Sequence, residues 1–372
     1  MKMRILLLTD INSAHTQKWA TALVSKGCEV GIFSFSIPNA NWYTQIGVKC
    51  LSNETHTNQT KLNKRLLTKL GYLGNLPKLK SIIIEFEPDV LHAHYASSYG
   101  FLGALSGFHP YVISAWGSDV MHFPKISFIH KSILVYNLKH SDFILATSKA
   151  IENSIKNYIN RLITIIPFGI DLTVFRPLEI TSLFSDEKIV IGVVKSLETI
   201  YGIDILIKAF KMLVEKMPNA PLVLLIVGGG SKEEEYKALV KEMNVEEQVK
   251  FIGKVKYEDV VKYHNMIDVF VNVSRNESFG VSVLEASACS KPVIVSKVGG
   301  LTEVVKDSVT GILVESENVS ATALAMERLV IDESLRLQMG KAGKAFVEAN
   351  YDFTKNVDDT MKVYRQLIST RK

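Results

Sequence analysis

The chain has 372 residues, 47% of them hydrophobic and 22% charged, with a formal net charge of +5. That length exceeds one ordinary domain and predicts two, and the composition is that of a globular enzyme, which excludes a disordered or low-complexity chain. So mild a charge argues against nucleic acid as a partner and fits an anionic small ligand or a negatively charged membrane surface.

In chain order, the run Ile5 to Leu8 is too short for a signal-peptide core and Asp10 follows it, so a first buried strand is expected at 3–9. Further strands are expected at 28–35, 89–94, 111–115, 142–147 and 163–167. A second series is expected at 188–195, 222–228, 249–252, 268–274, 292–296 and 311–314. Many are continuous Val/Ile/Leu runs, as in parallel strands covered on both faces. Helical segments separate them, including 15–27, 203–217, 232–243 and 279–290. The join lies around Ile165-Ile166-Pro167-Phe168-Gly169 through Arg176-Pro177, where a strand ends and proline and glycine follow. The fold class expected is α/β, with two doubly wound Rossmann-like domains. They cover 1–178 and 179–353, and an amphipathic segment near 354–372 is expected to be helical. Ligands of such sheets bind beyond the carboxyl ends of the strands, so two of them face to face would make a central cleft.

The three cysteines, Cys28, Cys50 and Cys289, have no metal-site spacing and suggest a reducing compartment. No apolar run approaches the ~20 residues of a membrane span. The expected location is cytoplasmic, peripheral to the inner face of the plasma membrane. Leucines and cations at helical spacing from Lys61 to Leu73, within 61–80, read either as a membrane-surface helix or as an ordinary amphipathic one.

Chemistry concentrates after the strand 268–274. Ser274-Arg275-Asn276-Glu277-Ser278-Phe279-Gly280-Val281 leads into a nearly all-apolar helix that carries Glu285. A helix start is an anion site, and Gly280 allows a phosphate to approach the backbone. A carboxylate inside such a helix needs a partner. For Glu285 that partner is either a vicinal diol such as a ribose or a salt bridge in the core. Glu277 is either a reactive-side carboxylate or a dipole-favoured helix-start acid. Lys195, at the end of another strand, is either an anion-neutralising cation or a solvated lysine. Gly228-Gly229-Gly230 is a turn that lacks the spacing of a dinucleotide or P-loop motif. In the first half, His92 and His94 share a strand face without a third metal ligand nearby. Trp116 suits stacking on a sugar ring or a place in the core, and Asp119 suits acceptor hydroxyls or a helix cap. His15 follows the first strand. No Asp-x-Asp metal motif lies in a convincing strand-end loop, so no metal site and no cofactor is expected.

Glu277 and Glu285 with seven residues between them, followed by Gly299-Gly300-Leu301-Thr302-Glu303, resemble the signature of the retaining GT-B glycosyltransferases of family 4, glycosyltransferase group 1. Matching segments include His15-Thr16-Gln17-Lys18-Trp19-Ala20, Asp89 through His94, Trp116-Gly117-Ser118-Asp119 and Tyr201-Gly202-Ile203-Asp204. The resemblance implies an acceptor-binding first domain, a nucleotide-sugar-binding second domain, and a last helix that returns to the first. It implies that Glu285 holds ribose hydroxyls and that Glu277 contacts the transferred sugar. Ser278 and the backbone of Phe279, Gly280 and Val281 would meet diphosphate and sugar. Gly228, Lys254 and Val255 would line the donor site, the last two near the base. His94, Trp116, Asp119 and His15 would contact acceptor or sugar. The donor would be a nucleotide-diphosphate-sugar and the acceptor a hydroxyl of a glycan or lipid-linked molecule, in cell-surface polysaccharide or glycolipid synthesis. The chain departs from the family at Ile200-Tyr201-Gly202, where a second cation is usual. That departure, with Trp116 standing where many relatives have a histidine, keeps a non-catalytic nucleotide-sugar-binding partner subunit in view, and a nucleotide-sugar epimerase of the same fold is a further alternative.

Overall fold

The computed structural model describes residues 2–51, 71–185 and 187–370. The basic stretch 61–70 therefore lies outside the described residues. The chain forms two compact units, Met1–Pro167 with Thr354–Lys372, and Phe168–Phe353. The changeover falls at Pro167, whereas the sequence reading placed it after 178. The reason is local. Ile170 bridges Asp352, the Phe353 amide donates to the Ile170 carbonyl, and the buried Phe175 ring lies 5.8 Å from Tyr257.

The first unit holds a seven-stranded sheet ordered β3-β2-β1-β4-β5-β6-β7. The strands are β1 Arg4–Leu8, β2 Glu29–Phe33, β3 Lys49–Cys50, β4 Val90–His94, β5 Tyr111–Ala115, β6 Phe143–Ala146 and β7 Thr164–Ile165. All of their pairings are parallel. The second unit holds a six-stranded sheet ordered β10-β9-β8-β11-β12-β13, with β8 Ile189–Val194, β9 Leu222–Val227, β10 Val249–Gly253, β11 Val269–Asn272, β12 Val293–Ser296 and β13 Gly311–Val314. It is also parallel throughout. Each sheet is doubly wound, with its strand order reversing between β1 and β4 and between β8 and β11.

The unbroken apolar runs explain the burial. Every residue of β9 and of β5 is buried, and each such Leu, Ile or Val contributes ~1.5–3 kcal/mol by leaving water. The two-residue edge strand β3 carries no apolar run and was not expected. Side-chain caps fix several helix starts: Ser148 accepts from the Ile151 amide at 3.1 Å, and Asp332 from the Leu335 amide at 2.8 Å. No helix among the described residues is long and apolar enough to cross a membrane.

The last helix, Phe353–Ser369, is tied into the first unit by its polar groups. Asn356 donates to the Pro167 carbonyl at 2.9 Å, and Lys26 pairs with Asp358 at 2.5 Å. Tyr364, fully buried, places its hydroxyl 2.5 Å from His92 Nδ1, while His92 Nε2 lies 2.7 Å from Ser114 Oγ. Burial drives the His92 pKa down to about 3, so the ring is neutral and divides donor and acceptor roles between its two nitrogens.

An unfolded histidine titrates near 6.5, so the unfolded chain takes up this proton first. Stability is therefore full above about pH 6.5 and falls as pH drops from there toward about 3, by up to about 1.4 kcal/mol per pH unit. A His92→Gln variant is expected to have a lower Tm at neutral pH and a shallower decline between pH 6.5 and 4. Parallel declines in scanning calorimetry would show that His92 is not the titrating group.

Candidate functional site

In the second unit the polar side chains gather at the carboxyl ends of β8 and β11, where the strand order reverses. Lys195 follows β8 directly. Its Nζ pairs with Glu277 Oε2, and the two side chains are only 15% and 10% exposed. The same ammonium sits 4.4 Å from the centre of the Tyr201 ring, a cation–π contact. Glycines let the loops close around this pair. At Gly228 (φ +139°) a Cβ would overlap the Lys195 carbonyl, and at Gly299 (φ +45°) it would overlap the Glu277 carbonyl. Gly228 also donates its amide to the Gly253 carbonyl at 2.9 Å. That bond sets the exposed Lys254 and the half-buried Val255 beside the glycine turn.

Arg275, the other cation of this loop, is committed elsewhere. It makes a bidentate pair with Asp204 at 2.9 and 2.8 Å, donates to the Thr199 carbonyl at 2.6 Å and meets Glu317 at 3.0 Å. Asp204 and then Glu317 hold its pKa above the usual arginine value. Arg275 thus lies beside the segment Thr199 to Asp204, with its amide donating to the Ile200 carbonyl at 2.8 Å and its guanidinium held by Asp204 and Glu317.

The helix Val281–Ala288 starts at Gly280 (φ 103°), and every residue from Ser282 to Ala288 is buried. The helices Tyr257–Met266 and Glu333–Asn350 pack on it. Phe279 points into the core against Phe168 and Tyr351, at 5.9 and 5.8 Å, so only its backbone remains for the loop. Ser278 is half-buried in that loop, and the Ser282 hydroxyl in the first turn is buried with no hydrogen-bond partner among the described residues.

Glu285 is 5% exposed. Among the described residues neither lysine nor arginine pairs with it. Tyr257 OH donates to Oε1 at 3.4 Å, and His264 Nε2 stands 3.4 Å from Oε2. His264 is fully buried and its Nδ1 has no partner. The proton is therefore assigned to Nε2, which donates to the carboxylate, because a buried N–H without an acceptor would cost more. Burial, and then the Glu285 charge, push the Tyr257 pKa up. Tyr257 and His264 were missed in the sequence. The available signal was their spacing, since residues seven apart share one face of a helix.

In the first unit, rings gather at the ends of β4 and β5. The half-buried Trp116 lies 4.7 Å from His94, 5.7 Å from His15 and 5.7 Å from Tyr95, between ring centres. His94 is 3% exposed and its Nδ1 has no partner. Burial, then the neighbouring His92 and His15, hold its pKa well below the usual range. Asp119 accepts from the amides of Ala96 (2.6 Å), Gly117 (2.8 Å) and Trp116 (3.2 Å). Burial raises its pKa, with these amides pulling the other way. With both oxygens so engaged, Asp119 holds the loop. No group of three His, Cys, Asp or Glu side chains among the described residues is placed to hold a metal ion.

Two doubly wound parallel Rossmann-like sheets, each with its polar residues at the switch point, are the fold of the GT-B class. Residues 177–346 match the family model for glycosyl transferases group 1, and residues 4–148 the one for glycosyl transferase 4-like proteins. The chain belongs to the group 1 glycosyltransferases. It is 29% identical to an uncharacterized glycosyltransferase of Methanocaldococcus jannaschii, over 80% of this chain and 81% of the relative. It is 26% identical to D-inositol 3-phosphate glycosyltransferase of Pseudarthrobacter chlorophenolicus, over 96% and 90%. Among solved structures it superposes on the sucrose-phosphate synthase of Thermosynechococcus elongatus with a TM-score of 0.84, 21% identity and coverage of 99% and 100%. The Anabaena protein HepE, solved in complex with UDP and glucose, gives 0.80, 20%, 98% and 100%.

Lys195 and Glu277 are expected to be energetically coupled, because removing either one leaves a mostly buried charge. In a double-mutant cycle of Lys195→Met and Glu277→Gln, chemical denaturation should give a coupling of roughly 0.5–3 kcal/mol. Additive single-variant effects would mean that the pair does not act as a unit.

Proposed function

We propose that this chain is a retaining, metal-independent glycosyltransferase. It moves a sugar from a nucleotide-diphosphate-sugar bound on the second unit to a hydroxyl of a glycan or lipid-linked acceptor. The observation that carries this reading is one strand–loop–helix segment bearing two differently treated carboxylates. Glu277 is paired with Lys195, whereas buried Glu285 is met, among the described residues, by Tyr257 and His264, each at 3.4 Å.

A carboxylate has about four acceptor positions. Tyr257 and His264 occupy one on each oxygen of Glu285, which leaves capacity for the two hydroxyls of a ribose. The diphosphate lies at the first turn of the helix Val281–Ala288, over the amides of Phe279, Gly280 and Val281, with Ser278 and Gly228 along its path and Lys254 and Val255 near the base. Lys195 neutralises the departing phosphate, and Glu277 meets the transferred sugar. The bond between the anomeric carbon and the phosphate oxygen breaks, and the acceptor oxygen bonds to that carbon on the same face. The acceptor proton passes to the departing phosphate. His94, Trp116 and His15 serve the acceptor, with the indole face suited to a sugar ring. Relatives and neighbours that carry the names of sugar-transferring enzymes, and HepE in complex with UDP and glucose, support the donor class. On this reading the pathway is the synthesis of a cell-surface polysaccharide or glycolipid.

A thermal-shift screen of nucleotide-sugars should give at least one stabilising donor, to be assayed with acceptors by mass spectrometry. Glu285→Ala is expected to weaken nucleotide binding about 10–100-fold, the value of hydrogen bonds to a charged group. Glu277→Ala should lower transfer about 100-fold or more while nucleotide affinity stays close to wild type. The product anomer, read by NMR, should match the donor, and a chelator should leave the rate unchanged. Turnover without an acceptor would indicate an epimerase, and binding without any turnover a partner subunit.

A further inference from the structure

The two compact units differ sharply in charge. The unit made of 1–167 and 354–372 has 22 Lys and Arg against 11 Asp and Glu, whereas 168–353 has 21 against 27. The mild overall charge therefore hides a strongly basic unit and an acidic one.

On the basic unit, five consecutive residues, Lys125 through Ile129, are exposed. Three of them are large and apolar: Ile126 at 59%, Phe128 at 80% and Ile129 at 49%. Single exposed apolar side chains such as Ile84 and Leu162 are ordinary on any surface, but three within four residues are not. Their display is fixed by the structure beneath. Phe123 and Pro124 are buried on one side, and His130 and Leu134 on the other. Ser127 caps the helix Phe128–Lys139, with its Oγ 2.7 Å from His130 Nδ1. No Asp or Glu occurs from Val120 to Ser141, a stretch that contains Lys125, Lys131 and Lys139.

We propose that Ile126, Phe128 and Ile129 insert into the interface of an anionic lipid bilayer, with Lys125 and Lys131 against its headgroups. An apolar tip on a stretch of chain that carries lysines and no acids is what such a membrane selects, since burial of apolar area and attraction to anionic lipid add. The charge of the unit decides for a lipid surface over a second copy of this chain, because two basic faces would repel each other. The proposal is independent of the sugar chemistry.

The test is co-flotation of the full-length protein with vesicles of phosphatidylcholine, alone or mixed with phosphatidylglycerol. Binding is expected to the mixed vesicles and to weaken with salt. Lys125→Glu with Lys131→Glu should weaken it about 25-fold or more, at about fivefold per cation lost. Ile126→Ser, Phe128→Ser and Ile129→Ser together should remove most of it while the circular dichroism spectrum and Tm stay at wild-type values, since these side chains are exposed. A Phe128→Trp variant should gain a blue-shifted emission component on mixed vesicles, above the signal of the three native tryptophans. Equal binding of wild type and the triple serine variant, or the lack of a blue shift, would overturn the proposal. So would light scattering that shows a dimer which the triple variant converts to monomer, because the patch would then be covered by a second copy.

Discussion

The contact between Lys195 and Glu277 is the constraint around which the second unit's upper edge is arranged. Both side chains are largely removed from water, and a buried charge without its partner costs several kcal/mol. One comes from the end of β8 and the other from the loop after β11, so the two loops must approach within ion-pair distance. Doubly wound topology makes these strands neighbours even though 82 residues separate the two side chains. The glycines at 228 and 299 then remove the Cβ atoms that would hold the carbonyls of Lys195 and Glu277 apart. The Tyr201 ring covers a further side of the ammonium with a face that attracts cations but carries no charge. A second lysine or arginine at that place would repel Lys195, and the tyrosine avoids that penalty.

Glu285 is handled in the opposite way, and the contrast is informative because both acids lie on one short segment. Glu277 meets a full positive charge, whereas Glu285 meets a phenol and an imidazole, each at 3.4 Å. Hydrogen bonds of that length are weak, so much of the acceptor strength of this carboxylate remains unspent. The two donors come from one face of the helix Tyr257–Met266, and that helix also packs on Phe175. The carboxylate is thereby oriented without being saturated. On the proposed reading this is the preparation that a ribose contact needs, because orientation is fixed in advance and the hydroxyls complete the hydrogen bonding.

Much of this architecture is legible in the sequence, for a simple reason. Parallel strands covered on both faces read as apolar segments, many of them unbroken Val, Ile and Leu runs such as β8 and β9. β3 does not, because Lys49–Cys50 is a two-residue edge pairing with no apolar run to mark it. Lys195, Glu277 and Glu285 are legible because a polar residue just past an apolar strand, or an acid inside an apolar helix, breaks the surrounding pattern. Tyr257 and His264 break nothing. They sit on an ordinary amphipathic helix, and only the packing of that helix against Val281–Ala288 gives them a partner. Asp119 shows the converse limit. Its position after β5 suits a ligand contact and a loop brace equally well in one dimension, and the count of backbone amides around it separates the two.

The charge of each unit also runs against the chemistry of its switch point. The basic first unit places little cationic character at the ends of β4 and β5: His94 is held unprotonated by burial, Trp116 is uncharged, and the Asp119 carboxylate is held by backbone amides. The acidic second unit keeps a cation and a carboxylate paired at its own switch point. Net charge is therefore an attribute of the solvated surfaces, where screening and side-chain freedom weaken each charge. The sites are set by a few desolvated groups in which each charge interacts strongly with its nearest neighbours. Surface charge can consequently drift toward a membrane or a solvent demand without altering either switch point, provided that the glycines, rings and amides holding the desolvated groups stay in place.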